Sequence, residues 1–234
     1  MLAIGNPRLF GAVLVGWIIS VILHEFAHGV VAYWGGDYTI RERGGLTLNP
    51  LQYIDPLFSI ILPVIVLFLG GIPLPGGVTY IRRDLLRSHA WDTAVSLAGP
   101  AMNFILFIAC ALPLHPHFHW LNPKAGSEGW SDLQIFLGAM AFLQLIAVIL
   151  NLIPVPPLDG FQAIAPYLPE DVRIRVTTPP LSNILFFAYF MIIWQAPGVW
   201  FAISLIFITL LRAMGFGNDD ISFFIQAHSI TFRG

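Results

Sequence analysis

Long apolar stretches separated by short polar ones set the pattern of this chain. Residues 9–36 carry one charge, Glu25, and residues 56–81, 93–123, 133–158 and 176–211 carry none. A bilayer core about 30 Å thick takes about 20 apolar residues of helix, so each stretch has room for a span. The pattern predicts helices over Phe10–Trp34, Thr93–Leu112 and Leu133–Ile153. In the last stretch, Leu181–Ala196 and Val199–Ala213 flank a Pro197-Gly198 break, which fits two short antiparallel segments or one long kinked helix. The stretch 56–81 differs. Its apolar run Leu57–Leu69 would cover about 20 Å as helix. Pro63 interrupts that run, and the following Gly70-Gly71-Ile72-Pro73-Leu74-Pro75-Gly76-Gly77 cannot continue a helix. A turn there leading into Val78-Thr79-Tyr80-Ile81 reads as a β-hairpin-like arm, and such backbone at membrane depth needs protein or water around it. The expected fold is an all-α polytopic membrane protein with four to six transmembrane segments and a re-entrant β-hairpin-like element. One integral-membrane domain, 1–234, holds a core over about 10–165 and C-terminal membrane segments over 181–213.

Composition agrees. The 234 residues are 57% hydrophobic and 10% charged, and the mean hydropathy is +0.78. A soluble domain carries roughly a quarter charged residues, so a water-soluble enzyme and a disordered chain are excluded. A nucleic-acid binder with a basic stripe is excluded on the same grounds, and the single cysteine, Cys110, excludes a disulfide scaffold. The first apolar stretch lacks a small-x-small cleavage site and has a charged cluster inside it, so it reads as a retained helix rather than a signal peptide. Basic residues orient the chain. If 57–72 is re-entrant, Arg41, Arg43, Arg82, Arg83, Arg87, Arg173 and Arg175 share one side against Arg8 and Lys124. A full span there would divide the same nine residues six to three. The positive-inside rule favours the re-entrant reading.

Chemistry enters with His24-Glu25-Phe26-Ala27-His28. Histidines at i and i+4 project from one helix face, so both imidazoles can reach one tetrahedral zinc, with Glu25 beside them as a general base. With seven histidines in the chain, chance expects about 0.004 such pentapeptides. A pair of histidines bonded to neighbouring helices is the plainer alternative, but it leaves an acid unexplained in an apolar span, where acids are costly. A catalytic zinc usually takes three protein ligands. The third candidate is Asp159, in Asn151-Leu152-Ile153-Pro154-Val155-Pro156-Pro157-Leu158-Asp159-Gly160, where three prolines stop a helix and the chain then presents a carboxylate. Asp-Gly after a helix end is also ordinary turn chemistry.

Three separated motifs, His24–His28, Ala98-Gly99-Pro100-Ala101-Met102-Asn103 and Asn151–Gly160, resemble in order and content the site-2 proteases, intramembrane zinc metalloproteases. The resemblance implies one Zn²⁺ per chain held by His24, His28 and Asp159, with Glu25 as general base. It also implies that Asn151 holds the scissile carbonyl oxygen, and that the substrate is a transmembrane helix of a membrane-anchored protein. The implied location is a prokaryotic cell membrane with the site toward the cytoplasm. Asn103 matches the family's Gly-Pro-x-x-Asn helix or serves as an interhelical hydrogen bond. Gly44–Pro50 and Ile54-Asp55-Pro56 resemble the cytosolic loop of the family's compact branch, with Tyr53 where that branch commonly has histidine. Loop 113–132 is too short for a PDZ domain, and about 20 residues follow the last apolar segment, leaving no expected regulatory domain. His115-Pro116-His117-Phe118-His119-Trp120 could share a metal on one face of an extended segment, but reads better as an interfacial loop. His89 and His228 read as surface or interfacial. Two rival functions stand beside the protease: an inactive relative that binds membrane helices, and an ion-coupled transporter using Glu25 and Asp159.

Overall fold

The computed structural model describes residues 7–49, 80–118, 120–121, 129–195 and 197–232, and every regular element among them is helical. The helices are α1 (Pro7–Gly35), α2 (Thr39–Glu42), α3 (His89–Ala111), α4 (Asp132–Asn151), α5 (Asp159–Ile164), α6 (Glu170–Thr177), α7 (Leu181–Gln195), α8 (Pro197–Ala213) and α9 (Asn218–Phe232). The expected re-entrant element falls on 57–79, outside the described residues. Tyr80 and Ile81, at its expected end, run in irregular backbone.

Local chemistry starts the two central helices. The Ser88 hydroxyl accepts from the Trp91 N–H at the head of α3, and Ser131 with Gln134 forms a reciprocal capping box at the head of α4. Three helices among the described residues are long and apolar enough to cross a membrane: α1, α3 with its 3₁₀ extension to Leu114, and α4. A fourth arises if α6 and the start of α7, bent by 69° to one another, form one broken span, while α8 is a shorter apolar helix. Pro197 and Gly198 open α8, and α7 ends at Gln195, so two helices are assigned across this stretch. Ile105, Phe187 and Phe201 point out of the bundle, as lipid-facing side chains do.

α3 packs against both α1 and α4, and α1 also touches α4. Along that last seam Phe10, Val13, Trp17 and Val21 interdigitate with Ala139, Met140, Leu143 and Ala147. The segment after α8 adds a helix that hydropathy did not isolate. α9 lies against α4, where Phe223, Phe224 and Ala227 are buried, and a Cβ on Gly138 would stand 2.8 Å from the Phe223 ring. His228 corrects the surface expectation: it is buried on α9, its ring 4.7 Å from that of Phe142. His89 is exposed, as expected.

A buried carboxylate ties the polar end of α1 together. Asp37 accepts from the Arg82 backbone N–H at 2.8 Å, from the Thr39 hydroxyl and from the Arg43 guanidinium, which also donates to the Tyr80 carbonyl at 2.9 Å. Residues 37–43 and 80–82 are thereby held side by side. At the same end the exposed Arg82 guanidinium, bonded to Asp84, holds that carboxyl below its ordinary value.

Candidate metal centre

Helix periodicity sets His24 and His28 one turn apart on a buried face of α1. The turn after α4 brings a carboxylate to them. Pro154, Pro156 and Pro157 end the helix, and the chain folds back until Asp159 opens α5. Gly160 permits that fold: a Cβ there would lie 2.2 Å from the Leu152 carbonyl oxygen. The two Nε2 atoms stand 3.1 Å apart. His24 Nε2 is 3.2 Å from Asp159 Oδ2, and His28 Nε2 is 3.4 Å from Asp159 Oδ1. Zinc–nitrogen and zinc–oxygen bonds of about 2.0–2.1 Å place tetrahedral ligands roughly 3.3–3.4 Å from one another. The Nε2–Nε2 separation, and the approach of a different Asp159 oxygen to each Nε2, lie near that spacing.

The outward nitrogens settle what the inward ones offer. His24 Nδ1 pairs with Asn103 Oδ1 at 2.9 Å, and His28 Nδ1 with the Val95 carbonyl at 2.6 Å. Both partners are acceptors, so each Nδ1 carries a proton and each Nε2 is the nitrogen that turns inward, available to a cation. Two imidazole nitrogens and a carboxylate then converge, an arrangement that a bound cation reconciles. The carboxamide and carbonyl behind the imidazoles are the usual outer partners of metal-binding histidines. Space agrees with charge. A Cβ on Gly99 of α3 would lie 2.3 Å from both Nε2 atoms, close to a metal–nitrogen bond length, so the glycine keeps open the volume that a ligated ion needs. The donor set, its protonation and the cradle all fit zinc.

Thus the structure brings together His24, His28 and Asp159, the three residues that sequence reasoning had as ligands. Glu25 is buried on α1 between the histidines, close enough for its charge to act on His28. Asn151 is the last residue of α4, buried, with no partner for its Nδ2 among the described residues. Asn103 proves to be an interhelical hydrogen bond, and the ring it holds is His24. The Val95 carbonyl and the role of Gly99 were missed. A backbone acceptor leaves no residue-type signal, and the glycine stood inside a motif read for its proline and asparagine. The second histidine cluster is a structural one where described. His115 Nε2 donates to the Met214 carbonyl while its Nδ1 accepts from the His117 N–H, so both ring nitrogens are engaged. Trp120 is exposed, and His119 lies outside the described residues.

Apolar spans around two buried histidines and a half-buried aspartate define a membrane protein with a candidate zinc site. No family model matches the chain, and no solved structure does. Curated proteins do match. A Mycolicibacterium smegmatis protein named "Putative zinc metalloprotease Rip2" is 43% identical over 166 residues, 70% of this chain and 61% of that protein. The Mycobacterium tuberculosis protein of the same name is 36% identical over 193 residues, 82% of this chain and 71% of that protein. Bacillus subtilis "Putative zinc metalloprotease YwhC" is 33% identical over 181 residues, 77% and 78% of the two chains. The chain belongs to the site-2 protease family of zinc metalloproteases. The matched segment spans less than two thirds of the M. smegmatis relative's length.

Proposed function

We propose that the chain is an intramembrane endopeptidase of the His-Glu-x-x-His type, hydrolysing peptide bonds in or near transmembrane segments of membrane-anchored proteins. The observation that carries the reading is the triangle of Nε2, Nε2 and carboxylate oxygens with edges of 3.1–3.4 Å and both histidine tautomers fixed from behind. His24, His28 and Asp159 hold one zinc, which when bound polarises a carbonyl oxygen and lowers the pKa of water toward 7. Glu25 takes the proton of the attacking water on its carboxylate and returns it to the leaving amide nitrogen. Asn151 donates from Nδ2 to the scissile carbonyl oxygen as negative charge develops there, a contact worth about 3 kcal/mol in other hydrolases. A transmembrane helix hydrogen-bonds its own backbone, so the substrate must unwind locally before these groups can reach it. In the orientation set by the basic residues, α1 and α4 both run toward the cytoplasm. The site then lies in their inner halves, in a prokaryotic cell membrane.

The test uses the full chain, purified and zinc-loaded in nanodiscs, with a membrane-anchored protein of a single span as substrate. Cleavage that a chelator stops and zinc restores is expected. Glu25→Gln should keep its zinc and lose at least about 100-fold in rate. Zinc-loaded wild type that leaves every such substrate intact would refute the protease and favour a helix-binding relative.

A further inference from the structure

Two turns before Asn151 on the same face of α4 sits Gln144, a residue that neither the ligand set nor the proton transfers use. It is 0% exposed, and among the described residues neither its Oε1 nor its Nε2 has a hydrogen-bond partner. A primary amide offers two donors and two lone pairs. Leaving all four idle inside an apolar bundle is strongly disfavoured. A second polar atom in the same layer is in the same state. Trp17 is 2% exposed, its Nε1 has no partner among the described residues, and its ring packs in one cluster with Met140, Leu143 and Ala147, which flank Gln144 on α4.

Register locates this layer. A Cβ on Gly16 would stand 3.0 Å from the Met140 sulfur, while Asp159, beyond the end of α4, meets His24 and His28. The two helices therefore run parallel. Gln144, four residues past Met140, falls level with Ser20, about one turn or 6 Å short of His24. Ser20 is buried, and its hydroxyl spends its proton on the Trp17 carbonyl at 2.7 Å, keeping lone pairs for another donor. Donors from Trp17 and Gln144 and acceptors from Gln144 and Ser20 thus fall within about one helical turn of one another along α1 and α4. They lie on the opposite side of the histidines from the Asp159 turn.

We propose that Gln144, with Trp17 and Ser20, forms a binding site for buried water directly behind the metal triad, and that this water feeds hydrolysis. The second half rests on the protease reading. The enclosure favours water over a peptide group: the Gln144 side chain is wholly covered, and a molecule with a share of about 30 Å³ that needs two to four polar partners suits such a place. The site has a purpose in this chemistry. Each peptide bond cut consumes one water, its hydroxyl joining the carbonyl carbon and its proton the released amine. A substrate helix seated over the triad shuts out bulk water at that moment. Gln144 is a positioning residue in this scheme, since it touches the water store and not the scissile bond.

The experiment uses zinc-loaded full chain in nanodiscs, labelled with ¹⁵N in glutamine side chains, with the Gln144 amide signal assigned by its loss in Gln144→Leu. A magnetisation-transfer cross-peak from water to the Gln144 NH₂ is expected. Gln144→Leu should keep zinc content and thermal midpoint while kcat falls about ten-fold at unchanged KM. An amide shielded from water overturns the site. A water cross-peak with unchanged kcat in Gln144→Leu overturns the feeding role. Should Gln144→Leu fail to fold, Trp17→Phe removes one donor and keeps the ring; kcat lowered at constant KM supports the proposal, and unchanged kcat overturns the feeding role. Wild type that shows the cross-peak but cleaves nothing refutes the protease reading and the feeding role, leaving the water site standing on the cross-peak.

Discussion

Gly99→Ala separates two arguments that give opposite signs. By helix propensity, alanine in the interior of α3 should stabilise the chain by roughly 0.5–1 kcal/mol. By the geometry of the site it should be ruinous. The new Cβ would stand 2.3 Å from His24 Nε2, 2.3 Å from His28 Nε2 and 2.5 Å from His24 Cε1. Ordinary carbon contacts begin near 3.4–3.5 Å, so α3 and the imidazoles must part by about 1 Å. A metal site tolerates about 0.2 Å in its bond lengths. Parting also strains the Asn103–His24 and Val95–His28 bonds, because Asn103 and Val95 lie one turn to either side of Gly99 on α3. Bound zinc per chain, measured by elemental mass spectrometry after dialysis against a competing chelator, should reveal an affinity lowered by at least ten- to a hundred-fold. Thermal unfolding of the metal-free protein is read in parallel. Full zinc occupancy with an unchanged or raised midpoint would refute the packing argument, and with it the claim that α3 is held off the site by a missing side chain.

Four further outcomes follow from the same contacts. Asn103→Leu frees the His24 ring without touching a ligand, and should weaken zinc about ten- to a hundred-fold in chelator competition while leaving the helices intact by circular dichroism. Asp159→Ala removes the carboxylate edge of the triangle, and the purified chain should lose its zinc; unchanged metal content would mean another third ligand. Asp37→Ala strips the Arg82 N–H, Thr39 and Arg43 of their common acceptor, and should cost about 2–3 kcal/mol, read as faster limited proteolysis near 37–49 and 80–87. Gly138→Leu drives a side chain into Phe223 and Ala227, and should loosen α9 from α4, seen as faster amide exchange across Asn218–Phe232.

What was legible in advance follows from which signals are local. α1, α3 and α4 stand within a few residues of their expected ends, because a span long enough to cross a bilayer is written in consecutive residues. The i, i+4 histidines were legible for the same reason. Asp159 required more: its own stretch fits a plain turn, and the demand of two histidines for a third ligand singled it out. α9 escaped because it earns its place by packing rather than by apolar length. Its first turn holds Asp219 and Asp220, while Phe223, Phe224 and Ala227 face α4. His228 was misplaced with it, since a histidine near the end of a polar-looking tail carries no sign of the Phe142 ring it meets.

The three helices around the centre divide the work in a way that explains the order of the motifs. α1 supplies the two candidate histidine ligands and, under the proposed mechanism, the base, all within five residues, because a helix repeats a face every four. Fixing the imidazole protons takes acceptors from outside α1, which the His24 and His28 Nδ1 atoms meet on a neighbouring helix. That task falls to α3, one acceptor on either side of Gly99, and only a helix without a side chain at that point can come close enough. α4 then ends near the same level, so that a proline-rich turn delivers a carboxylate to the two imidazoles. Each motif taken alone has a plain structural explanation. Fitted together, they leave two inward imidazole nitrogens and an acid within 3.4 Å. A cation held by all three accounts for that convergence, and without it a proton on an imidazole Nε2 has to take its place beside the Asp159 carboxylate.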